Sequence, residues 1–264
     1  MTTILDQIFA YKKVEIEKRM RDAPLEVIKQ RISNMAPVLN FSDCLSGPGT
    51  HLIAEVKKAS PSRGILLSDF DPVFLASTYV QGGASAISVL TEVDHFQGSL
   101  EHLFQVSQAV HSERVPVLRK DFLFDPYQLY ESRAYGADAV LLIVSLLDSR
   151  QLKQMLTLAQ SLQLQCLTEV HSEEELFIAL EAGAHLIGIN HRNLHTFETD
   201  ISLTHRLLPI IPAGKLIVSE SGINSRADVV QLEQAGTNAI LVGEALVTAT
   251  DIQSTMRNLL GKPQ

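Results

Sequence analysis

A short motif recurs four times along the 264 residues, and this repetition constrains the fold more than any other feature. Each copy has a glycine, then two or three small or polar residues, then an apolar run. The copies begin at Gly83, Gly136, Gly183 and Gly236, at intervals of 53, 47 and 53 residues. The pattern predicts a helix that ends at a left-handed glycine, followed at once by a buried strand.

A second set of apolar runs lies between these copies, and each run ends in charged residues. These runs are 51–56, 115–120, 164–170 and 215–220. Eight nearly continuous apolar strands that alternate with amphipathic helices are typical of a parallel sheet covered on its faces. Eight such strands in roughly 250 residues predict a closed (β/α)8 TIM barrel. The alternative is a doubly wound open sheet, which would have fewer strands and no fourfold repeat.

Residues 1–45 precede the repeat, and we expect them to form an N-terminal helical extension, with a single catalytic barrel domain over 46–264. The apolar face expected for the first helix consists of Ile4, Ile8, Tyr11 and Val14. A second helix is expected after Pro24. The extension is either a cover on the barrel or a lid that shapes a substrate site, and the sequence favours neither.

Composition and charge exclude several classes of protein. The net charge of −8 lacks the basic footprint of a nucleic-acid-binding protein. The first twenty residues carry too many charges for a signal peptide. The longest apolar run, 139–144, is far shorter than the roughly 18 residues of a membrane span. We therefore expect a cytoplasmic protein that binds neither nucleic acid nor membrane. We also expect a monomer, which no feature of the sequence decides.

Charged residues follow several of the predicted strands. In a TIM barrel the active site forms at the carboxyl ends of the strands. Glu55 and Lys57 have the same parity on the first strand, so both are expected at the barrel mouth. Glu169 and Glu220 end the fifth and seventh strands, and we expect them to be partly buried and paired with Lys57 and Lys120. A protonated lysine beside an ionised carboxylate supplies a general acid and a general base.

Glycines after the seventh and eighth strands, Gly222 and Gly243, predict a phosphate site. In many barrels the loops after these two strands hold a phosphate, because glycine lets backbone N–H groups approach an anion closely. Ser60 or Ser62 of the first loop could close the same pocket. His191 and His195 are four residues apart but lie in an expected loop, so no metal site is predicted.

The motifs at these positions resemble those of the indole-3-glycerol phosphate synthase family. The matching segments, in family order, are 53–62, 90–92, 96–99, 118–122, 136–144, 167–170, 187–194, 220–223 and 241–244. The opening helix also resembles the family's extra N-terminal segment. The resemblance implies a cofactor-free lyase, a decarboxylase of tryptophan biosynthesis. Its substrate would be 1-(2-carboxyphenylamino)-1-deoxyribulose 5-phosphate, and its products indole-3-glycerol phosphate, carbon dioxide and water.

The resemblance also implies a role for each matched residue. Lys120 would be the general acid of ring closure, and Glu169 the acid/base group of the later dehydration. Lys57 would hold the anthranilate carboxylate, and which lysine donates the second proton is left open. The other implied catalytic residues are Glu55, Asn190 and Ser221. The implied substrate-binding residues are Glu220, Arg192, Phe96, Phe122 and Leu141. The implied phosphate-binding residues are Ser60, Gly222, Gly243 and Glu244.

Glu244 stands where many family members have serine. We expect only its backbone N–H to serve the phosphate, with the carboxylate turned away, because two negative charges in contact repel each other. Two other classes stay open. A sister enzyme on a phosphate-binding barrel, such as an isomerase of phosphoribosyl amines or a tryptophan synthase α-type lyase, would not need two lysines and two glutamates at one rim. A non-catalytic binding barrel would have no reason to keep Lys120 and Glu169.

Overall fold

The computed structural model of the chain describes residues 4–193, 196 and 198–263, and its centre is a closed barrel of parallel strands. The barrel strands, numbered in chain order, are β1 His51–Val56, β2 Ala86–Leu90, β3 Val117–Lys120, β4 Ala139–Ile143, β5 Gln165–Val170, β6 Leu186–Asn190, β7 Leu216–Glu220 and β8 Ala239–Val242. Each strand pairs with the next one in sequence, and β1 pairs with β8 to close the ring. The predicted (β/α)8 barrel is confirmed, and the open-sheet alternative is wrong.

Helices surround this barrel and precede it. They are α1 Ile4–Asp22, α2 Leu25–Ile32, α3 Pro72–Gln81, α4 Leu100–Val110, α5 Pro126–Ala134, α6 Ser149–Ser161, α7 Glu173–Glu181, α8 Ser202–Leu207, α9 Arg226–Ala235, α10 Glu244–Val247 and α11 Ile252–Leu259. The helix predicted after Pro24 is α2. A short antiparallel hairpin, Ala59–Ser60 with Gly64–Ile65, follows β1. None of the helices in the described residues is long and apolar enough to cross a membrane.

The repeated glycines have the backbone conformation that the motif predicts. Their φ angles are +89° at Gly83, +86° at Gly136, +92° at Gly183 and +108° at Gly236. A residue with a side chain is disfavoured in this left-handed region. Each glycine therefore lets a helix end sharply and the chain turn directly into an inner strand.

Alternation along the strands divides the buried residues into two layers. The side chains that fill the barrel include Ile53, Leu118, Leu167 and Val218. Their sequence neighbours, such as Leu52 and Ile217, pack outward against the helices. Residues two positions further along a strand point the same way. Two positions after the four inner residues come Glu55, Lys120, Glu169 and Glu220. The strand pattern thus aims four charged side chains into the carboxyl-terminal mouth of the barrel.

The N-terminal helix α1 packs with a face that differs from the predicted one. Its buried residues include Ile8, Lys12 and Ile16. Tyr11 and Val14 are exposed, so their predicted place on the buried face is wrong, and the side chain of Ile4 lies outside the described part of the structure. The cause is Lys12, whose ammonium lies 3.0 Å from Asp121 and 2.7 Å from Glu15. A charged residue therefore occupies the middle of the buried face, where hydropathy alone predicts none.

Candidate active site

A cavity of about 350 Å³ opens at the carboxyl ends of the strands. It brings together all of the residues predicted for catalysis, substrate binding and phosphate binding. These are Glu55, Lys57, Ser60, Phe96, Lys120, Phe122, Leu141, Glu169, Asn190, Arg192, Glu220, Ser221, Gly222, Gly243 and Glu244. Ile8 of α1 lines the cavity as well. The N-terminal helix therefore contributes to the wall of the site, a point that the sequence leaves open.

Lys120 lies between two carboxylates inside this cavity. Its ammonium nitrogen is 3.2 Å from Glu169 and 3.4 Å from Glu220. Burial alone would lower the pKa of Lys120, but the negative charges of Glu169, Glu220 and Glu55 outweigh the burial and raise it. Lys120 is therefore an ammonium ion at neutral pH, the form that donates a proton or a hydrogen bond to an oxygen atom.

The two carboxylates beside Lys120 have pKa values shifted in opposite directions. Burial alone would raise the pKa of Glu169, but the positive charges of Lys120 and His171 hold it well below its usual range. Burial raises the pKa of Glu220, and despite Lys120 the charges of Glu169 and Glu55 help to bring it to about 8. At neutral pH an ionised Glu169 thus lies near a protonated Glu220. Such a divergent pair supports acid and base chemistry in one site.

Lys57 has a different partner from the predicted one. Its ammonium nitrogen lies 2.5 Å from Glu55, while Glu169 and Glu220 both pair with Lys120. The predicted pairing is confirmed for Lys120 and wrong for Lys57. Lys57 lies two residues beyond Glu55 on the same side of the chain, so this neighbour is within immediate reach.

Two glycines leave room for carboxylates at the barrel mouth. A Cβ atom at Gly188 would overlap Oε1 of Glu220, and one at Gly243 would overlap Oε1 of Glu55. Gly243 thus leaves space for the Glu55 carboxylate, in addition to its predicted role at the phosphate site. Gly188 is missing from the predicted site, although a glycine inside an apolar strand is a known signal of close approach.

The loop after β7 has an unusual backbone, which a buried histidine supports. Ser221 and Gly222 have φ angles of +68° and +73°, and a left-handed serine is uncommon outside constrained sites. Nδ1 of His191 donates to the Ser221 carbonyl oxygen at 2.8 Å, so Nε2 accepts from the Thr204 hydroxyl at 2.7 Å. Burial lowers the pKa of His191, which fits this neutral form. His195 lies outside the described residues.

The described part of the chain contains no group of three His, Cys, Asp or Glu side chains arranged to hold a metal ion. The Ser60 hydroxyl is buried at the cavity and lacks a hydrogen-bond partner within that same part. A buried hydroxyl in this state is available to a ligand oxygen.

The carboxylate of Glu244 has a partner that the sequence does not predict. Its Oε1 lies 2.9 Å from Nε of Arg63, which comes from the same loop as Ser60. Arg63 and Glu244 both line the cavity. The carboxylate is therefore neutralised at the cavity wall by a neighbouring cation, whereas the sequence predicts only that it turns away.

Comparison with known proteins assigns the chain to a family. The family model for indole-3-glycerol phosphate synthase matches residues 5–259. The chain belongs to the indole-3-glycerol phosphate synthase family. The indole-3-glycerol phosphate synthase of Dehalococcoides mccartyi strain CBDB1 is 49% identical over 258 residues, which cover 97% of this chain and 100% of that protein. That of Roseiflexus sp. strain RS-1 is 50% identical over 267 residues, or 99% of each chain.

Solved structures of low sequence identity share the barrel of this family member. The 3-hexulose-6-phosphate synthase of Salmonella typhimurium has a TM-score of 0.65 and 14% identity, over 80% of this chain and 97% of that one. A mutant tryptophan synthase α-subunit of Pyrococcus furiosus has a TM-score of 0.62 and 16% identity, over 80% and 98%. At these identities the likeness shows the fold alone.

An apolar wall completes the cavity of this family member. The rings of Phe96 and Phe122 have centroids 6.4 Å apart and are tilted by 43°. Leu141 and Ile8 pack in the same cluster. Charged and aromatic side chains therefore line the same cavity, a combination that suits a ligand with an aromatic ring and anionic groups.

Proposed function

We propose that this cavity converts 1-(2-carboxyphenylamino)-1-deoxyribulose 5-phosphate to indole-3-glycerol phosphate. As a member of its family the chain is a carbon–carbon lyase of tryptophan biosynthesis. The observation that carries the assignment to this cavity is the position of the Lys120 ammonium, 3.2 Å from Glu169 and 3.4 Å from Glu220. An ammonium in contact with an ionised and a protonated carboxyl is what a reaction with several proton transfers requires.

In the first step the ring carbon that bears the carboxylate attacks the ribulose carbonyl carbon. The carbonyl oxygen gains negative charge as the new carbon–carbon bond forms, and a proton from Lys120 converts it to a hydroxyl group. The ring is then a cation, and breaking its bond to the carboxylate releases carbon dioxide and restores the aromatic electrons. We assign the acid role to Lys120 because its ammonium is largely buried, lies beside two carboxyl groups and is protonated at neutral pH.

In the second stage the hydroxyl group leaves as water. A base removes a proton from the ring system and an acid protonates the departing hydroxyl. We assign the base role to Glu169, which its neighbours keep ionised. The carboxylate of the substrate leaves as neutral carbon dioxide, so the whole reaction takes up one proton per turnover. Glu220, with its pKa raised to about 8, can hold such a proton near neutral pH.

The remaining residues are proposed to bind and orient. Lys57 and Arg192 are the cations available for the anthranilate carboxylate. Glu55 holds Lys57 through the 2.5 Å contact between them. The other orienting residues are Asn190 and Ser221. The proposed wall for the aromatic ring is Phe96, Phe122 and Leu141. The proposed phosphate ligands are the Ser60 hydroxyl and the backbone of Gly222, Gly243 and Glu244.

The proposed working form is a cytoplasmic monomer without an organic or metal cofactor. Its partner is a phosphorylated small molecule, rather than nucleic acid or membrane. Within the chain, residues 1–45 would act as the helical extension and 46–264 as the catalytic domain. The net charge of −8 supports the exclusion of nucleic acid. Light scattering on the purified protein would measure the oligomeric state.

The direct test is a fluorescence assay of indole-3-glycerol phosphate formation from the named substrate. Lys120→Ala is expected to lower kcat by about 10²–10⁴-fold, the range for a general acid–base group, while still binding the product. Lys153→Ala, which removes an exposed lysine of α6, is the matched control and keeps wild-type turnover. Near-normal turnover of Lys120→Ala would refute the acid assignment. If the wild-type protein does not convert this substrate but isomerises a phosphoribosyl amine, the proposed function is wrong.

A further inference from the structure

His171 contacts the oxygen of Glu169 that does not face Lys120. Its Nε2 is 3.3 Å from Oε1 of Glu169, and its Nδ1 is 3.1 Å from Oε2 of Glu175. Glu175, in the first turn of α7, also accepts a hydrogen bond from the backbone N–H of His171 at 2.8 Å. Both nitrogens of one imidazole ring therefore face carboxylate oxygens.

This geometry favours a positive charge on the ring. Nδ1 lies at hydrogen-bond distance from Glu175, whose carboxylate oxygen can only accept, so Nδ1 carries a hydrogen. Nε2 lies within ion-pair distance of Glu169, and two carboxylates beside one imidazole favour its protonated form. Burial alone would lower the pKa of His171, but Glu169 and Glu175 outweigh the burial and raise it to about 10. His171 is therefore an imidazolium ion at neutral pH, with its side chain largely buried.

Other charged groups line the adjoining cavity around His171. They come from the segment after β6 and from α8, and they are Arg192, Glu198, Asp200 and Arg206. Asp200 is paired with Arg206 at 2.9 Å. His191 lines the same cavity but is held in its neutral form by its hydrogen bonds to Ser221 and Thr204. The charges in direct contact with the His171 ring are thus the two carboxylates of Glu169 and Glu175.

We propose that His171 is a positioning residue for Glu169, an imidazolium that fixes the carboxylate and keeps it ionised for its acid–base step. The inference rests on the proposed function, which gives Glu169 that step. His171 is absent from the lining of the substrate cavity, so it acts through Glu169 and not on the substrate. Glu169 has one oxygen against His171 and the other against Lys120. Lys120 and His171 thus fix the position of the Glu169 carboxylate and keep it ionised.

The proposal predicts a change in pH dependence together with a separation of kcat from KM. An opposite charge in contact lowers a carboxyl pKa by about 1–3 units. His171→Gln removes that charge, so the pKa of Glu169 rises and the acidic limb of kcat/KM moves to higher pH by at least about one unit. We expect kcat to fall by at least about tenfold, part of the 10²–10⁴-fold that a general acid–base group supplies. KM should stay within about twofold, because the substrate does not contact His171.

Two further variants keep the test decisive if His171→Gln folds poorly. Glu175→Gln leaves the imidazole in place but removes its outer carboxylate, and it should move the acidic limb in the same direction by less. His185→Gln replaces an exposed histidine at the opposite end of the barrel and should leave the profile unchanged. Circular dichroism and chemical unfolding report whether each variant is folded.

Glu169→Gln separates the failure of this inference from the failure of the proposed function. If Glu169→Gln is inactive while His171→Gln and Glu175→Gln keep the wild-type pH profile, the positioning role is wrong and the function stands. If Glu169→Gln keeps full activity, its acid–base role is wrong and the inference falls with it. A loss of stability in His171→Gln without a shift of the acidic limb would show a merely structural histidine.

Discussion

Replacing Glu220 with glutamine should stabilise the protein, although the side chain lies at the centre of the charged site. Glu220 shares one buried ammonium, Lys120, with Glu169, and both of its oxygens lack a hydrogen-bond partner within the described residues. Glutamine keeps the shape of the protonated side chain without the need to bind a proton. The wild-type carboxyl is ionised in the unfolded chain and must take up a proton to be buried at neutral pH, and glutamine avoids this cost in free energy without opening a cavity.

The magnitude follows from the pKa of Glu220, which rises from an ordinary value of 4.5 to about 8 on folding. Each pH unit between the folded and unfolded pKa corresponds to about 1.4 kcal/mol. The native state binds this proton more tightly than the unfolded chain, so its contribution to stability is complete below pH 4.5 and is lost as the pH rises towards 8. Glu220→Gln should therefore gain about 1 kcal/mol at pH 5 and about 3 kcal/mol at pH 7.

Glu169 provides a matched control with the opposite sign. Its pKa is held below the ordinary value by Lys120 and His171, so its ionised form stabilises the native state at pH 7, and that contribution is lost only as the pH falls through the lowered pKa. Glu169→Gln leaves two buried cations short of a partner. Breaking a buried ion pair on one side costs roughly 3 kcal/mol.

Guanidinium chloride unfolding at pH 5 and pH 7 measures both effects. For each variant the midpoint shift multiplied by the common slope gives the change in the free energy of unfolding. We expect Glu220→Gln to be more stable than wild type, with a larger gain at pH 7, and Glu169→Gln to be less stable at pH 7. The reasoning is refuted if both variants shift in the same direction, or if the gain of Glu220→Gln is the same at both pH values.

Two more predictions concern charges around the site. Lys12→Met leaves the buried Asp121 with fewer cationic contacts, and we expect a loss of about 2–4 kcal/mol in the free energy of unfolding, measured by denaturant titration; a loss below about 1 kcal/mol would contradict it. Glu244→Ser removes a carboxylate from the proposed phosphate site and frees Arg63 from its ion pair, so KM for the phosphorylated substrate should fall several-fold at low salt and by less at high salt, because salt screens exposed charges. Stability should change by less than about 1 kcal/mol, since the ion pair of Glu244 with Arg63 is partly exposed. An unchanged KM at low salt would count against a charge effect at this position.

Most of the barrel can be predicted because its signals are local. The four repeated glycines mark helix ends through their own backbone conformation, and the apolar runs mark buried strands whatever the neighbours are. The residues that α1 buries, by contrast, are determined by contacts with distant parts of the chain. The burial of Lys12 depends on Asp121, which is more than a hundred residues away and lies 3.0 Å from its ammonium, as well as on the nearby Glu15. A hydropathy pattern contains no information about such a partner, and it therefore selects Tyr11 and Val14 instead.

His171, Gly188 and Arg63 are missing from the predicted site for a similar reason. A histidine after a strand, a glycine within one and an arginine in an exposed loop are each common. Their roles in the site depend on the residues that they contact. His171 contacts Glu169, Gly188 lies against the carboxylate of Glu220, and Arg63 contacts Glu244. The residue types can be read from the sequence, whereas their contacts depend on how the strands pair in the closed barrel.

The partners of Lys120, by contrast, follow from the layering of the barrel. In a (β/α)8 barrel each inner layer takes four side chains from alternate strands. Glu55, Lys120, Glu169 and Glu220 lie on β1, β3, β5 and β7 and all point inward, so they form one such layer with three carboxylates around one ammonium. Lys57 lies two residues beyond this layer and, among the described residues, forms its ion pair with Glu55. The layer has three carboxylates, whereas Lys120 and Lys57 supply two positive charges. The excess negative charge is removed with the smallest cost in free energy when the carboxylate with the weakest contacts binds a proton. That carboxylate is Glu220, whose pKa is raised by burial and by the neighbouring carboxylates, whereas Lys120 and His171 together lower the pKa of Glu169.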